Sequence, residues 1–192
     1  MEIQSVGIIG AGIMGNGIAQ VCAASGLDVV MVDINQAAID KGMDSISSSL
    51  ERLVKKEKLT AEQKVATLAK IKPSIDYADL KNLHLVIEAA TENQPIKEKI
   101  LKQLDDTCSP ATIIATNTSS LSVTQLASKN SNPARVIGMH FFNPVPMMAL
   151  VEIIRGLQTS DETHLAIYEM SKRLGKEPIT VKNAPGFVVN RI

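Results

Sequence analysis

The stretch Val6-Gly7-Ile8-Ile9-Gly10-Ala11-Gly12-Ile13-Met14-Gly15 decides the fold. It opens as a short buried-strand pattern and closes as G-x-G-x-x-G. Gly15 to Ser25 then reads as a helix, with Gly26 as its stop signal. Such a glycine pattern is weak alone, because glycines are common in turns. Between a strand and a helix it has a mechanism. Gly10 permits the tight turn, Gly12 lets a pyrophosphate approach the backbone, and Gly15 allows close helix–strand packing. The helix N-terminus offers N–H groups and a partial positive charge. Gly10, Ala11, Gly12, Ile13, Met14 and Gly15 are the candidate phosphate cradle.

Asp33 adds the second element. It ends the next apolar run, Val29-Val30-Met31-Val32, 18 residues after Gly15. An acid there can accept both ribose hydroxyls and would repel a 2′-phosphate. No Arg follows in Ile34-Asn35-Gln36, so the pattern points to NAD rather than NADP. The alternative is a set of turn glycines and a strand-end Asp that caps a helix.

Further out, short apolar runs alternate with longer amphipathic ones. Residues 37–58 read as a long helix, and Thr60-Ala61-Glu62-Gln63 as a capping box opening a second one, with Pro73 ending that region. Strands are expected at 83–88, 112–115, 136–139, 150–154 and 179–181, and helices at 95–106, 121–128 and 160–174. This alternation predicts an α/β fold: a doubly wound, mainly parallel sheet with helices on both faces and a helical hairpin inserted after the second strand.

Composition narrows the function classes. Among 192 residues, 20 Lys+Arg balance 20 Asp+Glu. Zero net charge argues against nucleic acid or an anionic membrane as the main partner. Three Phe, two Tyr and no Trp make base-stacking platforms improbable. Two cysteines are too few for a disulfide framework, and no Cys/His spacing suits a metal. No apolar run reaches the roughly 18 residues of a membrane span, and Met1-Glu2-Ile3-Gln4 does not open a signal peptide. A cytoplasmic protein is the expectation.

His140-Phe141-Phe142-Asn143-Pro144-Val145-Pro146 follows a buried strand, at the kind of sheet edge where open α/β folds bind ligands. Glu152 lies 12 residues later inside Leu150-Val151-Glu152-Ile153-Ile154. A carboxylate among branched aliphatics is rarely buried without a partner. Pro144 and Pro146 let the chain turn and bring Glu152 beside His140. A carboxylate on an imidazole fixes its tautomer and supports proton exchange near neutral pH. The competing reading is a structural His with a strand-edge Glu.

Thr116-Asn117-Thr118-Ser119-Ser120 follows another strand end and suits hydrogen bonding to a substrate oxygen, or else N-caps the next helix. Asn190 is a polar site group or a cap. Cys22 reads as helix core, Met147-Met148 as pocket lining or core, and Lys55, Lys56 and Lys58 as a solvated helix end that could attract phosphates. His84 and His164 lack an acid at catalytic spacing.

Together the segments GAGIMG at 10–15, Asp33, IEAATEN at 87–93, TNTSSL at 116–121, HFFNPVPMMALVEII at 140–154 and PGFVVNRI at 185–192 resemble the 3-hydroxyacyl-CoA dehydrogenase family, over the whole chain. The resemblance implies a Rossmann-like NAD-binding domain over 1–185. It implies that 186–192 begin a linker helix to an all-helical C-terminal domain absent from this chain. It implies an oxidoreductase that interconverts short (3S)-3-hydroxyacyl-CoA, such as 3-hydroxybutyryl-CoA, and 3-ketoacyl-CoA, as in fatty acid and butyrate metabolism. His140 would be the general acid/base and Glu152 its partner. Ser119 and Asn190 would hold the substrate oxygen. Asp33, Glu92, Lys97, Ser119 and Asn143 would surround NAD, and Ser49 and Lys56 would touch coenzyme A. In the family a homodimer forms through the helical domain. The alternatives are a non-catalytic nucleotide-binding or structural module, and a dehydrogenase of a free small hydroxy acid.

Overall fold

The computed structural model describes residues 2–183 and Phe187. The expected linker helix over 186–192, with Asn190, otherwise lies outside the described residues. The first apolar run forms β1 (Ser5–Ile9), and the glycine loop passes into α1 (Ile13–Ala24), two residues earlier than expected. There follow β2 (Asp28–Val32), α2 (Gln36–Lys55), α3 (Ala61–Ala69), β3 (Ile71–Ser74), β4 (Leu85–Glu88), α4 (Gln94–Thr107) and β5 (Ile113–Thr116). The chain continues through α5 (Val123–Ala127), β6 (Val136–Phe141), β7 (Leu150–Arg155), α6 (Asp161–Arg173) and β8 (Glu177–Lys182).

The strands form one sheet in the order β3-β2-β1-β4-β5-β6-β7-β8. The first six run parallel; β7 turns back antiparallel to β6, and β8 is parallel to β7. The order reverses direction between β1 and β4, the place where doubly wound sheets open a crevice at the strands' carboxyl ends.

Period-two alternation distributes the core. Val29 and Met31 of β2 pack with α1, α2 and α6 on one face, while Val30 and Val32 pack on the other with Leu101 and Leu104 of α4 and Leu126 of α5. Each fully buried Ile or Leu contributes about 1.5–3 kcal/mol by transfer, so two continuous faces of them hold the sheet rigid beneath its loops. Helix α2 buries only Ile39, Gly42, Ile46 and Leu50, a single stripe, as suits a hairpin laid over α1. The capping box at Thr60 and Gln63 forms as its sequence predicts.

One expectation needs correction. Pro73 does not end the region but lies inside β3, opposite Met31. Proline cannot donate to a ladder, and β3 is the sheet's outer strand, where a missing N–H costs no bond. Met147 and Met148, expected as pocket lining or core, are exposed, which removes the core reading. His84 precedes β4, where its Nδ1 meets Ser5 Oγ at 2.8 Å.

Candidate active site

The glycine loop sits at the β1/β4 switch point. Gly10 has φ +99°, and a Cβ there would lie 2.7 Å from Ala90 Cα, so the loop presses against the chain leaving β4. Gly15 is crowded from within the loop itself: a Cβ would come 1.7 Å from Gly10 O. Above Gly12, by contrast, a Cβ would meet nothing within 4 Å. Gly12 is also the N-cap of α1 and brings no side chain to cap it. The loop therefore presents an uncapped helix N-terminus to open space, which is what a pyrophosphate needs.

Asp33 is held at the neighbouring strand end by two backbone donors. Ala11 N–H donates to its Oδ2 (2.7 Å) and Ile34 N–H to its Oδ1 (2.6 Å). Each oxygen retains a lone pair, so the oriented carboxylate can still accept from both hydroxyls of a ribose. Tyr77 stands nearby; burial, with Glu88 and Asp33, pushes its phenol up to about 12. NAD fits these residues and is the cofactor of the domain.

Across the crevice, β6 and β7 pair so that His140 and Glu152 are direct cross-strand neighbours. The Nδ1 of His140 lies 2.8 Å from Glu152 Oε2, and the two side chains are 8% and 0% exposed. An ionised carboxylate only accepts, so in that state Nδ1 carries the proton of this bond, and a neutral ring would keep its Nε2 lone pair for other use. Phe142 and Phe187 flank the imidazole, with ring centroids at 4.5 and 5.8 Å. Asn117 Oδ1 accepts from Phe141 N–H (2.8 Å) and so ties the end of β6 to the end of β5.

A second polar cluster fills the edge between β4 and β5. Lys97, on α4, is fully buried; it donates to Glu88 Oε2 at 2.6 Å and to Thr116 Oγ1 at 3.4 Å. Its Nζ is also 3.8 Å from Glu92 Oε2. Glu92 Oε1 in turn accepts from Thr118 Oγ1 (2.8 Å), Ser119 N–H (2.6 Å) and Ser119 Oγ (2.8 Å). Partial burial works against the Glu92 charge, but the Thr118 and Ser119 donors and Lys97 outweigh it and hold the carboxyl below its ordinary range. Glu92 thus staples the 118–120 loop over the buried Lys97–Glu88 pair.

The sequence-derived residues fall into three groups. The glycine loop with Asp33, the Glu92–Lys97–Ser119 cluster, and His140–Glu152 all lie at the carboxyl-end edge of the parallel strands. Asn143 is exposed on the link after β6. Ser49, half-buried on α2, and Lys56, exposed at its C-cap, lie on the hairpin. Sequence reasoning gave no role to Glu88, Phe142 or Phe187, and Asn117, expected with its neighbours to bond a substrate oxygen or cap a helix, instead accepts from Phe141 N–H. Only Glu88 carried a usable signal, an acid closing an otherwise apolar strand.

A cavity of about 990 Å³ lies elsewhere, between α6 and the opposite strand ends, lined by Ile3, Ile113, Arg135, Ala166 and Met170 among others. None of the candidate site residues lines it. Among the described residues no helix is long and apolar enough to cross a membrane.

The description of the 3-hydroxyacyl-CoA dehydrogenase NAD-binding domain matches residues 5–184. The chain is 47% identical over 189 residues to a 3-hydroxybutyryl-CoA dehydrogenase of Clostridioides difficile, covering 98% of this chain and 67% of that protein. It is 43% identical over 190 residues to a fatty acid oxidation complex subunit alpha of Acinetobacter baylyi, covering 99% of this chain and 26% of that one. Among solved structures, the (S)-3-hydroxybutyryl-CoA dehydrogenase of Ralstonia eutropha superposes with a TM-score of 0.98 at 64% identity, over 100% of this chain and 68% of that chain. The chain thus spans about two thirds of these two 3-hydroxybutyryl-CoA dehydrogenases and about a quarter of the longer subunit.

Proposed function

This chain belongs to the 3-hydroxyacyl-CoA dehydrogenase family, and from that premise we propose that it carries the NAD-binding and proton-transferring half of an enzyme interconverting short (3S)-3-hydroxyacyl-CoA and 3-ketoacyl-CoA. The proposal takes residues 1–185 as the NAD-binding domain, with 186–192 leading out of it. It extends to a cytoplasmic homodimer as the working form of the whole protein. The relatives' names support the substrate class.

The glycine loop and the α1 N-terminus would hold the cofactor's phosphates, and Asp33 its ribose hydroxyls. When bound, NAD supplies the hydride acceptor, and in reduced form the donor. The rest is done by this chain. Neutral His140, with Nδ1–H held by Glu152, uses Nε2 to remove the proton of the substrate's 3-hydroxyl. The ring then carries a positive charge, which the buried Glu152 carboxylate stabilises at 2.8 Å. In the other direction the same nitrogen returns the proton to the 3-keto oxygen. The pair is buried, so the Glu152 charge would act on the ring with little screening. Ser119 and Asn190 are the proposed donors to the substrate oxygen, and Asn143, Glu92 and Lys97 the proposed surroundings of the nicotinamide half. Ser49 and Lys56 are the proposed coenzyme A contacts on the hairpin.

One observation carries the reading: a buried His–Glu pair, built across an antiparallel ladder, at the edge where the dinucleotide loop opens. The test is NADH oxidation with acetoacetyl-CoA against free acetoacetate. Turnover of the thioester alone is expected. Turnover of the free acid alone would assign a different substrate class, and NADH binding without turnover of either would leave a nucleotide-binding module.

A further inference from the structure

The link between β6 and β7, residues 142–149, joins the two halves of the His–Glu pair, and a lysine outside every motif of the site fixes its shape. Lys176 follows the turn after α6 and is only 8% exposed. Its Nζ donates to Val145 O at 2.6 Å and to Met148 O at 2.8 Å. Among the described residues no carboxylate lies within ion-pair distance of it. Burial holds its ammonium below the usual lysine range. An ammonium is costly to bury, and two carbonyls in one turn are a specific compensation.

The same turn is tied internally and to its neighbours. Pro144 O accepts from Met147 N–H (2.9 Å) and Met148 N–H (3.0 Å), and Glu177 N–H donates to Ala149 O at 2.8 Å. Val145 is buried against α1, so close that a Cβ on Gly17 would lie 2.9 Å from Val145 Cβ. Gly17 is two residues past the end of the glycine loop. The link thus leaves the strand that carries His140, packs through Val145 against α1, and is gripped by Lys176 through two of its carbonyls.

We propose that Lys176 is a positioning residue: its two hydrogen bonds to Val145 and Met148 set the height of the 143–148 turn, and so hold Asn143 and the β6 end in register with the dinucleotide crevice. It acts through backbone, touching neither cofactor nor substrate. An apolar residue of equal length would fill the space but leave both carbonyls unpaired, and the turn would settle to water. The inference rests on the site reading above, and its primary readout is cofactor affinity, not turnover.

The experiment titrates NADH, by its own fluorescence, against this chain and its Lys176→Met, Lys176→Gln and Lys176→Arg variants, well below each melting temperature. Lys176→Met is expected to weaken NADH binding about tenfold, equivalent to about 1.4 kcal/mol. Lys176→Gln, which keeps two donors without charge, is expected to fall between, and Lys176→Arg to stay within about threefold of the parent. A residue serving stability alone would lower the melting temperature and leave affinity unchanged, so folded Lys176→Met binding NADH like the parent overturns the proposal. If Lys176→Met does not fold, Lys176→Gln decides by the same criterion. Loss of acetoacetyl-CoA turnover in the parent, with NADH binding intact, would sink the activity reading and leave this one standing.

Discussion

Glu152 stands directly opposite His140 in the β6–β7 ladder, and its Oε2 comes within 2.8 Å of the imidazole Nδ1. The pair is specified by register. A slip of either strand by one residue would put the two side chains on opposite faces of the sheet. Replacing His140 by Ala is expected to lower acetoacetyl-CoA turnover by about 10²–10⁴-fold with NADH affinity retained. Glu152→Gln keeps a hydrogen-bond acceptor but removes the charge, so its pH–rate profile should depart from the parent's. Superimposable profiles would show that the carboxylate does not serve the imidazole.

Asp33 bridges two backbone N–H groups, and the proposed function gives it the cofactor's ribose hydroxyls. Its change to Ala should weaken NAD binding and narrow the preference over NADP, because the carboxylate both accepts from the diol and repels a 2′-phosphate. The check is the ratio of KM values for the two cofactors before and after. An unaltered ratio would remove Asp33 from that role.

Gly15 has no room for a methyl group, since a Cβ would sit 1.7 Å from Gly10 O. Gly15→Ala must open the loop. A loss of about 1–3 kcal/mol in urea unfolding is expected, together with weakened NADH binding. Normal stability and affinity in this variant would mean that the loop accommodates the methyl group at no cost.

Lys97 and Glu88 form a fully buried ion pair at 2.6 Å. Lys97→Met strands the Glu88 charge and should cost about 3–5 kcal/mol of stability. Adding Glu88→Gln to the same chain should recover part of that loss, because the stranded charge is gone. If the double variant is no more stable than Lys97→Met, the two side chains are not energetically coupled.

Asp105 and Arg135 make a second buried pair at 2.8 Å, linking the last turn of α4 to the start of β6. Burial works to raise the Asp105 carboxyl, but the backbone and hydroxyl of Ser131 and the Arg135 guanidinium outweigh it and hold it below its ordinary 3.8. A carboxyl depressed in the folded state stabilises fully above its unfolded value, and that contribution is lost as pH falls through the folded one. The stability gap between the parent and Asp105→Asn should therefore be large at neutral pH and shrink below pH 3.8. A gap independent of pH would contradict this.

Much of the architecture was readable in one dimension because each element advertises itself locally. The strands of the parallel core are continuous β-branched runs, and α3 begins at its capping box. The 71–74 strand escaped because Pro73 is a breaker by every local rule; only its place at the sheet's edge permits it. Glu152 was legible as a candidate because an acid among aliphatics demands a partner. Lys176 was not, because a lone lysine after a glycine turn looks like any solvated cation.

The order of residues therefore determined the crossover units, the dinucleotide loop and the chemical types present at the site, since these depend on spacing along the chain and on side-chain chemistry. Tertiary structure alone decided the antiparallel return of β7 that sets Glu152 against His140. It also decided that Glu92 grips the 118–120 loop and that Lys176 grips the 144–148 turn. Each of these joins groups 12 to 31 positions apart. Their meeting depends on how strands stack and which charges lose their water, and neither is written in any short stretch of the chain.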